Sequence, residues 1–181
     1  MLRQLQLLFL LLISMMLIIP SAQAASRQEI DAKVREALDT LYTNSSSAKS
    51  LSRKAAGILV FPEVYKAGFG IGGEYGEGSF LRGGKTLGYY SLVSASVGLQ
   101  FGAQMKAEVI LFMTKASMNN FLNSDGWEAG VDGSVAVATL GAGGEIDSHT
   151  AQQPIIGFIF SNKGLMYNLT IEGAKITKID K

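Results

Sequence analysis

Between Gly57 and Ser91 the chain reads GILVFPEVYKAGFGIGGEYGEGSFLRGGKTLGYYS, strand-forming apolar residues threaded with glycines and almost bare of catalytic side chains. All 21 glycines lie between Gly57 and Gly173. A residue without Cβ admits sharp sheet bends and close backbone approach, so this run predicts a strongly curved, glycine-rich antiparallel sheet approaching a barrel. It points to shape recognition rather than acid-base chemistry.

The first 24 residues read as an export tag. Arg3 supplies a charged start, Leu7 to Ile19 an apolar stretch, and Pro20-Ser-Ala-Gln-Ala24 a small-residue cleavage site after Ala24. Thirteen apolar-region residues are too few for a bilayer span, which takes roughly 20. The expected location is therefore periplasmic or secreted. Without Arg3 the 16 Lys+Arg fall level with the 15 Asp+Glu, so no nucleic-acid partner is implied. There is no cysteine, and an exported chain of this kind must stand without disulfides. A core sufficient for that is available, since a domain of this size buries about 70% of its unfolded surface.

After the tag, Ser26-Arg-Gln-Glu29 is a capping box that predicts a helix start. Ile30, Val34, Leu38 and Leu41 recur at helical spacing on one face. Asn44 to Ser47 interrupts that pattern, and a second short helix over 48–56 is expected to close at Gly57. Residues 25–47 thus form an amphipathic helix and linker ahead of a domain over 48–181.

From Ile58 the period becomes two. Ile58 to Phe61 predicts a short strand stopped by Pro62. Phe69, Ile71, Gly73 and Tyr75 alternate with small residues, and Gly83-Gly84 suits a type I′ hairpin turn. Tyr89 to Phe101 reads as a strand with Tyr89, Ser91 and Val93 on its larger face, followed by a separate strand from Met105 to Met113. Thr114 is placed to cap a helix through Leu122. Strands are expected at Val131 to Val137 and Ile155 to Ser161, with a last one from Leu165 to Ile171. The fold class is α+β, one domain.

The motifs Gly57-Ile-Leu-Val-Phe-Pro62, Lys66-Ala-Gly-Phe69, Gly72-Gly-Glu-Tyr-Gly76, Gly88-Tyr-Tyr-Ser91, Gly98-Leu-Gln-Phe-Gly102, Trp127-Glu-Ala-Gly130 and Gly164-Leu165 occur in this order. Together they resemble the SYLF-domain family, over about Ala48 to Ile176. The resemblance implies a non-enzymatic domain that binds membrane lipid, with eukaryotic members similar to phosphoinositide binders and some yeast members to actin binders. It implies a lipid-contacting segment at the helical start, here Ile30, Val34, Leu38 and Leu41 as the apolar stripe with Lys49, Arg53 and Lys54 as a basic cluster. The same stripe is equally the packing face that any surface helix carries. The expected partner is a phospholipid or membrane surface, with an envelope protein or a second copy of the chain as the alternative. No cofactor is expected.

Other chemistry finds little footing. Gly68-Phe-Gly-Ile-Gly-Gly73 matches a dinucleotide fingerprint but continues in strand alternation. His149 is the only histidine, and with Asp147 and Ser148 beside it in one loop it cannot form a triad. Glu74 and Glu77 read as solvated carboxylates. Glu128, Asp132, Glu145 and Asp147 could gather around a cation only if their loops met, and no metal site is expected. Trp127, Tyr75, Tyr89 and Tyr90 read as core before ligand mouth.

Overall fold

The computed structural model describes residues 25–138, 146–161, 164–165, 171 and 173–181. The predicted export tag and Glu145 lie outside the described residues. The elements are α1 (Arg27–Asn44), α2 (Ser46–Lys54), β1 (Gly57–Arg82), β2 (Lys85–Phe112), α3 (Lys115–Asn123), β3 (Trp127–Glu128), β4 (Ala136–Ala138), β5 (Ile155–Ser161), β6 (Gly164–Leu165) and β7 (Lys175–Ile179). One sheet runs β3-β7-β2-β5-β4, with β1 on β2 and β6 on β5. Its pairings are antiparallel except β4 with β5.

The helices begin where their caps dictate. The Ser26 hydroxyl accepts from the Glu29 N–H at 3.2 Å. Glu29 pairs one turn on with Lys33 at 2.9 Å. Buried Ser45 ends α1 by donating its N–H to the Leu41 carbonyl, and starts α2 by accepting from the Ala48 N–H at 3.0 Å. Thr114 caps α3, as expected. The second helix stops at Lys54 rather than reaching residue 56, because the Ala56 N–H is already committed to the Phe112 carbonyl at 2.8 Å. Gly57 accordingly opens a strand instead of capping a helix.

The dominant element is the β1–β2 hairpin, 26 and 28 residues long, turned at Gly83 and Gly84 with φ of 57° and 76°. Two expectations are corrected here. Pro62 does not stop β1: it falls at a register shift between Phe61 and Val64, on a strand whose only described partner is β2, so its missing N–H breaks no ladder. The separate strands expected near 89–101 and 105–113 are one continuous β2.

The hairpin doubles back on itself. A Cβ at Gly78 would overlap the Val60 carbonyl oxygen, and one at Gly76 would stand 2.9 Å from that of Glu63. Along β2 the far half pairs with β7 at 89–93 and the near half with β5 at 107–112.

Two cores result, one on each face of the near half. On one, Ile30, Val34 and Leu41 of α1 pack with Val60, Val109, Leu111, Ile156 and Phe158. Residues 25–47 therefore share a core with the rest of the domain. Inside the curl, Leu59, Phe80, Tyr90, Leu92, Phe112, Phe121 and Trp127 meet, with Phe112 and Phe121 ring centroids 4.9 Å apart. Tyr90 and Leu92 thus face inward, while Val93, on the face with the larger side chains, is 51% exposed. Closing the curl, rather than residue volume, selects the inner face.

Further along, Val131 is 73% exposed in a tight loop, and only Ala136–Ala138 of the predicted 131–137 strand forms. The loop is held by the Glu128 N–H donating to the Asp132 carboxylate at 2.7 Å. β5 appears where expected; of its predicted partner strand only β6 is described, and 166–170 lie outside the described residues. β7 escaped the reading because only Ile176 of its alternation is both apolar and buried.

Candidate functional site

The middle of the curled hairpin has its polarity reversed. On the inner face Glu108, Lys106, Glu74 and Lys66 form a ladder whose side chains are 1, 2, 8 and 15% exposed, from the deep interior to the rim. Lys106 Nζ lies 2.8 Å from an oxygen of Glu74 and 2.8 Å from one of Glu108, and Lys66 Nζ lies 3.1 Å from the other Glu74 oxygen. The second Glu108 oxygen has no hydrogen-bond partner among the described residues.

Burial raises the Glu74 pKa, but Lys106 and Lys66 outweigh it and leave the carboxyl below its ordinary value. Burial pulls Lys106 down, and Glu108 and Glu74 reverse that. For Glu108 burial prevails over the attraction of Lys106, so its pKa is raised. Glu74 is thus no solvated carboxylate, a correction to the sequence reading. The available signal was spacing: Lys106 and Glu108 are two apart in a strand and must share a face.

The outer face carries Tyr65 paired with Met105 and Tyr75 paired with Val93 across the hairpin. These four are 54, 43, 50 and 51% exposed, and Ala67, Gly73 and Ala95 between them are exposed too. The Tyr65 hydroxyl donates to Glu63 at 3.0 Å and the Tyr75 hydroxyl to Glu77 at 2.8 Å. Partial burial, then the neighbouring carboxylate, raises both phenol pKa values.

The residues predicted at the helical start are divided. Ile30, Val34 and Leu41 are no more than 2% exposed and Leu38 is half-buried, so the stripe is the packing face of α1 in this conformation. Lys49, Arg53 and Lys54 are exposed on α2, which has no acidic residue. Arg53 and Lys54 occupy its last turn, where the helix dipole favours cations. Stripe and cluster do not form one exposed surface.

The remaining candidates are dispersed. Glu77 pairs with Lys181 at 2.7 Å. Asp147 accepts from Thr150, and His149 is exposed beside Gln153. Among the described residues no group of three His, Asp or Glu side chains could hold a metal ion. The fingerprint Gly68 to Gly73 lies within β1, with no helix after it. Trp127 and Tyr90 are core, Tyr89 is half-buried with its hydroxyl on Asp31 at 3.1 Å, and Tyr75 is exposed.

A curled α+β domain with an apolar outer face and a separate basic helix has the features of a binding module. Residues 93–181 match the family model Ysc84, described as "Las17-binding protein actin regulator". That match agrees with the resemblance of the chain's motifs to the SYLF domain. The match takes in Gly98 to Gly102, Trp127 to Gly130 and Gly164-Leu165, and begins within β2. No curated protein matches the chain.

Proposed function

We propose that this protein is a non-enzymatic, exported domain that binds lipid or phospholipid surfaces carrying anionic groups. The observation that carries this reading is the reversed polarity of the hairpin, with charges inside and Tyr65, Tyr75, Val93 and Met105 outside. Strands with apolar residues outward and polar ones inward are the arrangement by which β-structure faces lipid. Tyrosines with a wet hydroxyl and an apolar ring suit the boundary between water and acyl chains. Lys49, Arg53 and Lys54 add roughly 1 kcal/mol each near an anionic surface, enough to orient docking but not to secure it. Insertion of the apolar face supplies the rest. The α1 stripe joins the contact only if α1 lifts from the sheet.

Sedimentation of the purified protein with vesicles tests this. Binding to phosphatidylglycerol vesicles that falls on replacing Tyr65 and Val93 by Ser is the expected result. Absence of binding to anionic vesicles and to native envelope lipids at low salt overturns it.

A second reading is a scaffold that pairs with an envelope protein or with itself, in keeping with the protein partner in the family's description. β1 favours it, since β2 is its only described partner over 26 residues and a free edge is a template for pairing. Light scattering separates the two: a defined oligomer indifferent to lipid favours the scaffold.

A further inference from the structure

Because the hairpin returns along itself, its tip is carried toward a second element. Gly76 lies against Glu63, Gly78 against Val60, and a Cβ on Gly57 would run into the Phe80 ring. Each step outward along the far half of β1 thus moves back along the near half, from Glu63 to Val60 to Gly57. One step further, the same progression brings Arg82 beside the end of α2, where Arg53 and Lys54 stand. Leu81 of the tip and Leu51 and Ala55 of the α2 end pack on one core accordingly.

The tip is built of donors. Arg82 and Lys85 face each other in register across the Gly83-Gly84 turn, and all four residues are exposed. Like charges directly opposite on paired strands are destabilising, and an anion between them would offset that cost. Both glycines have positive φ, and nothing lies within 4 Å of where their side chains would stand. Successive backbone N–H groups in such a turn form a concavity that accepts an anion. Arg82, Lys85, Lys49, Arg53 and Lys54 take part in no ion pair among the described residues. The acid that does reach this part of the hairpin, Asp31, is occupied by the Thr86 and Tyr89 hydroxyls at 3.0 and 3.1 Å.

We infer that the hairpin tip and the last turn of α2 together form a phosphate site, with the Gly83 and Gly84 N–H groups, the Arg82 guanidinium and the Lys85 ammonium as donors and Arg53 and Lys54 closing its side. The inference rests on the proposed reading of α2 as a basic docking element and adds the tip to it. A phosphate group offers several acceptor oxygens to these donors, and charge-assisted bonds of this kind are stronger than neutral ones. The group is carried by a phospholipid headgroup or by free phosphate.

The test is amide NMR of the full protein titrated with sodium phosphate and, separately, with sodium chloride at matched ionic strength. Saturable shifts of the Gly83 and Gly84 amides with phosphate and not with chloride are expected. Arg82→Gln with Lys85→Gln should weaken phosphate binding about tenfold, and Arg53→Gln with Lys54→Gln several-fold, whereas Lys175→Gln, which removes an exposed charge from β7, should leave it within about twofold. Sedimentation separates the sources: weaker binding of the Arg82→Gln, Lys85→Gln variant to phosphatidylglycerol vesicles assigns the site to a lipid headgroup, unchanged binding to free phosphate. Absence of a saturable shift, equal shifts with chloride, or an equal loss with Lys175→Gln overturns the inference, and phosphate binding indifferent to Arg53 and Lys54 overturns the joint site. In each of those cases, vesicle binding that still depends on Tyr65 and Val93 leaves the proposed function standing.

Discussion

Gly78 lies so close against Val60 that a methyl group at position 78 would overlap the Val60 carbonyl oxygen. This contact between two halves of one strand is what makes the hairpin a curl instead of a ribbon. Gly78→Ala should therefore destabilise the protein by about 3 kcal/mol or more, because backbone and not a flexible side chain must give way. Thermal unfolding measures it, and a loss under 1 kcal/mol would show that the contact relaxes easily.

The interior ladder gives opposite pH signatures at its two carboxylates. Glu74 has a lowered pKa, so its contribution is present above the unfolded value near 4.5 and is lost as pH falls below it. Glu108 has a raised pKa, so stability declines as pH rises from about 4.5 through the folded value. Glu74→Gln should flatten the acid limb of a Tm-against-pH curve, and Glu108→Gln the limb above it. Parallel curves for both variants would contradict the assignment.

At neutral pH, Glu74→Gln leaves Lys66 and Lys106 facing only Glu108. Breaking a buried pair from one side costs about 3 kcal/mol. Denaturant unfolding checks this, and the double variant Glu74→Gln with Lys66→Gln should recover part of the loss.

On α2, replacing Lys49, Arg53 and Lys54 by Gln should weaken vesicle binding several-fold at low ionic strength. The difference should vanish near 1 M salt, where the screening length is about 3 Å. Sedimentation across a salt series decides it, and a salt-independent loss would point to a packing effect instead.

Ile30 is 2% exposed between α1 and the sheet. Ile30→Ala should cost about 3 kcal/mol in unfolding free energy. If α1 lifts onto lipid, vesicles should offset part of that loss, which a melt with and without lipid reads directly.

Local chemistry was legible in the chain. Ser26 and Thr114 announce helix starts because their hydroxyls serve the nearest free N–H groups. Gly83-Gly84 announces the turn because both positions need positive φ. Pro62 misled, since whether a missing N–H matters depends on which neighbour strand would have received it. The stripe Ile30, Val34, Leu38 and Leu41 reads first as a packing face and second as a lipid contact, and burial against Val60 and Phe158 settles only how it stands in this conformation.

The sequence by itself determined the α+β class, the capped helices, the hairpin turn and the concentration of glycine that permits curvature, since each follows from residues within a few positions of one another. Tertiary structure alone decided which face of β2 turns inward, that Glu74 meets Lys106, and that Tyr65 and Tyr75 flank one groove. Those pairs lie 32 and 10 residues apart and are joined by a bend whose direction is set by the packing it closes, not by local propensity.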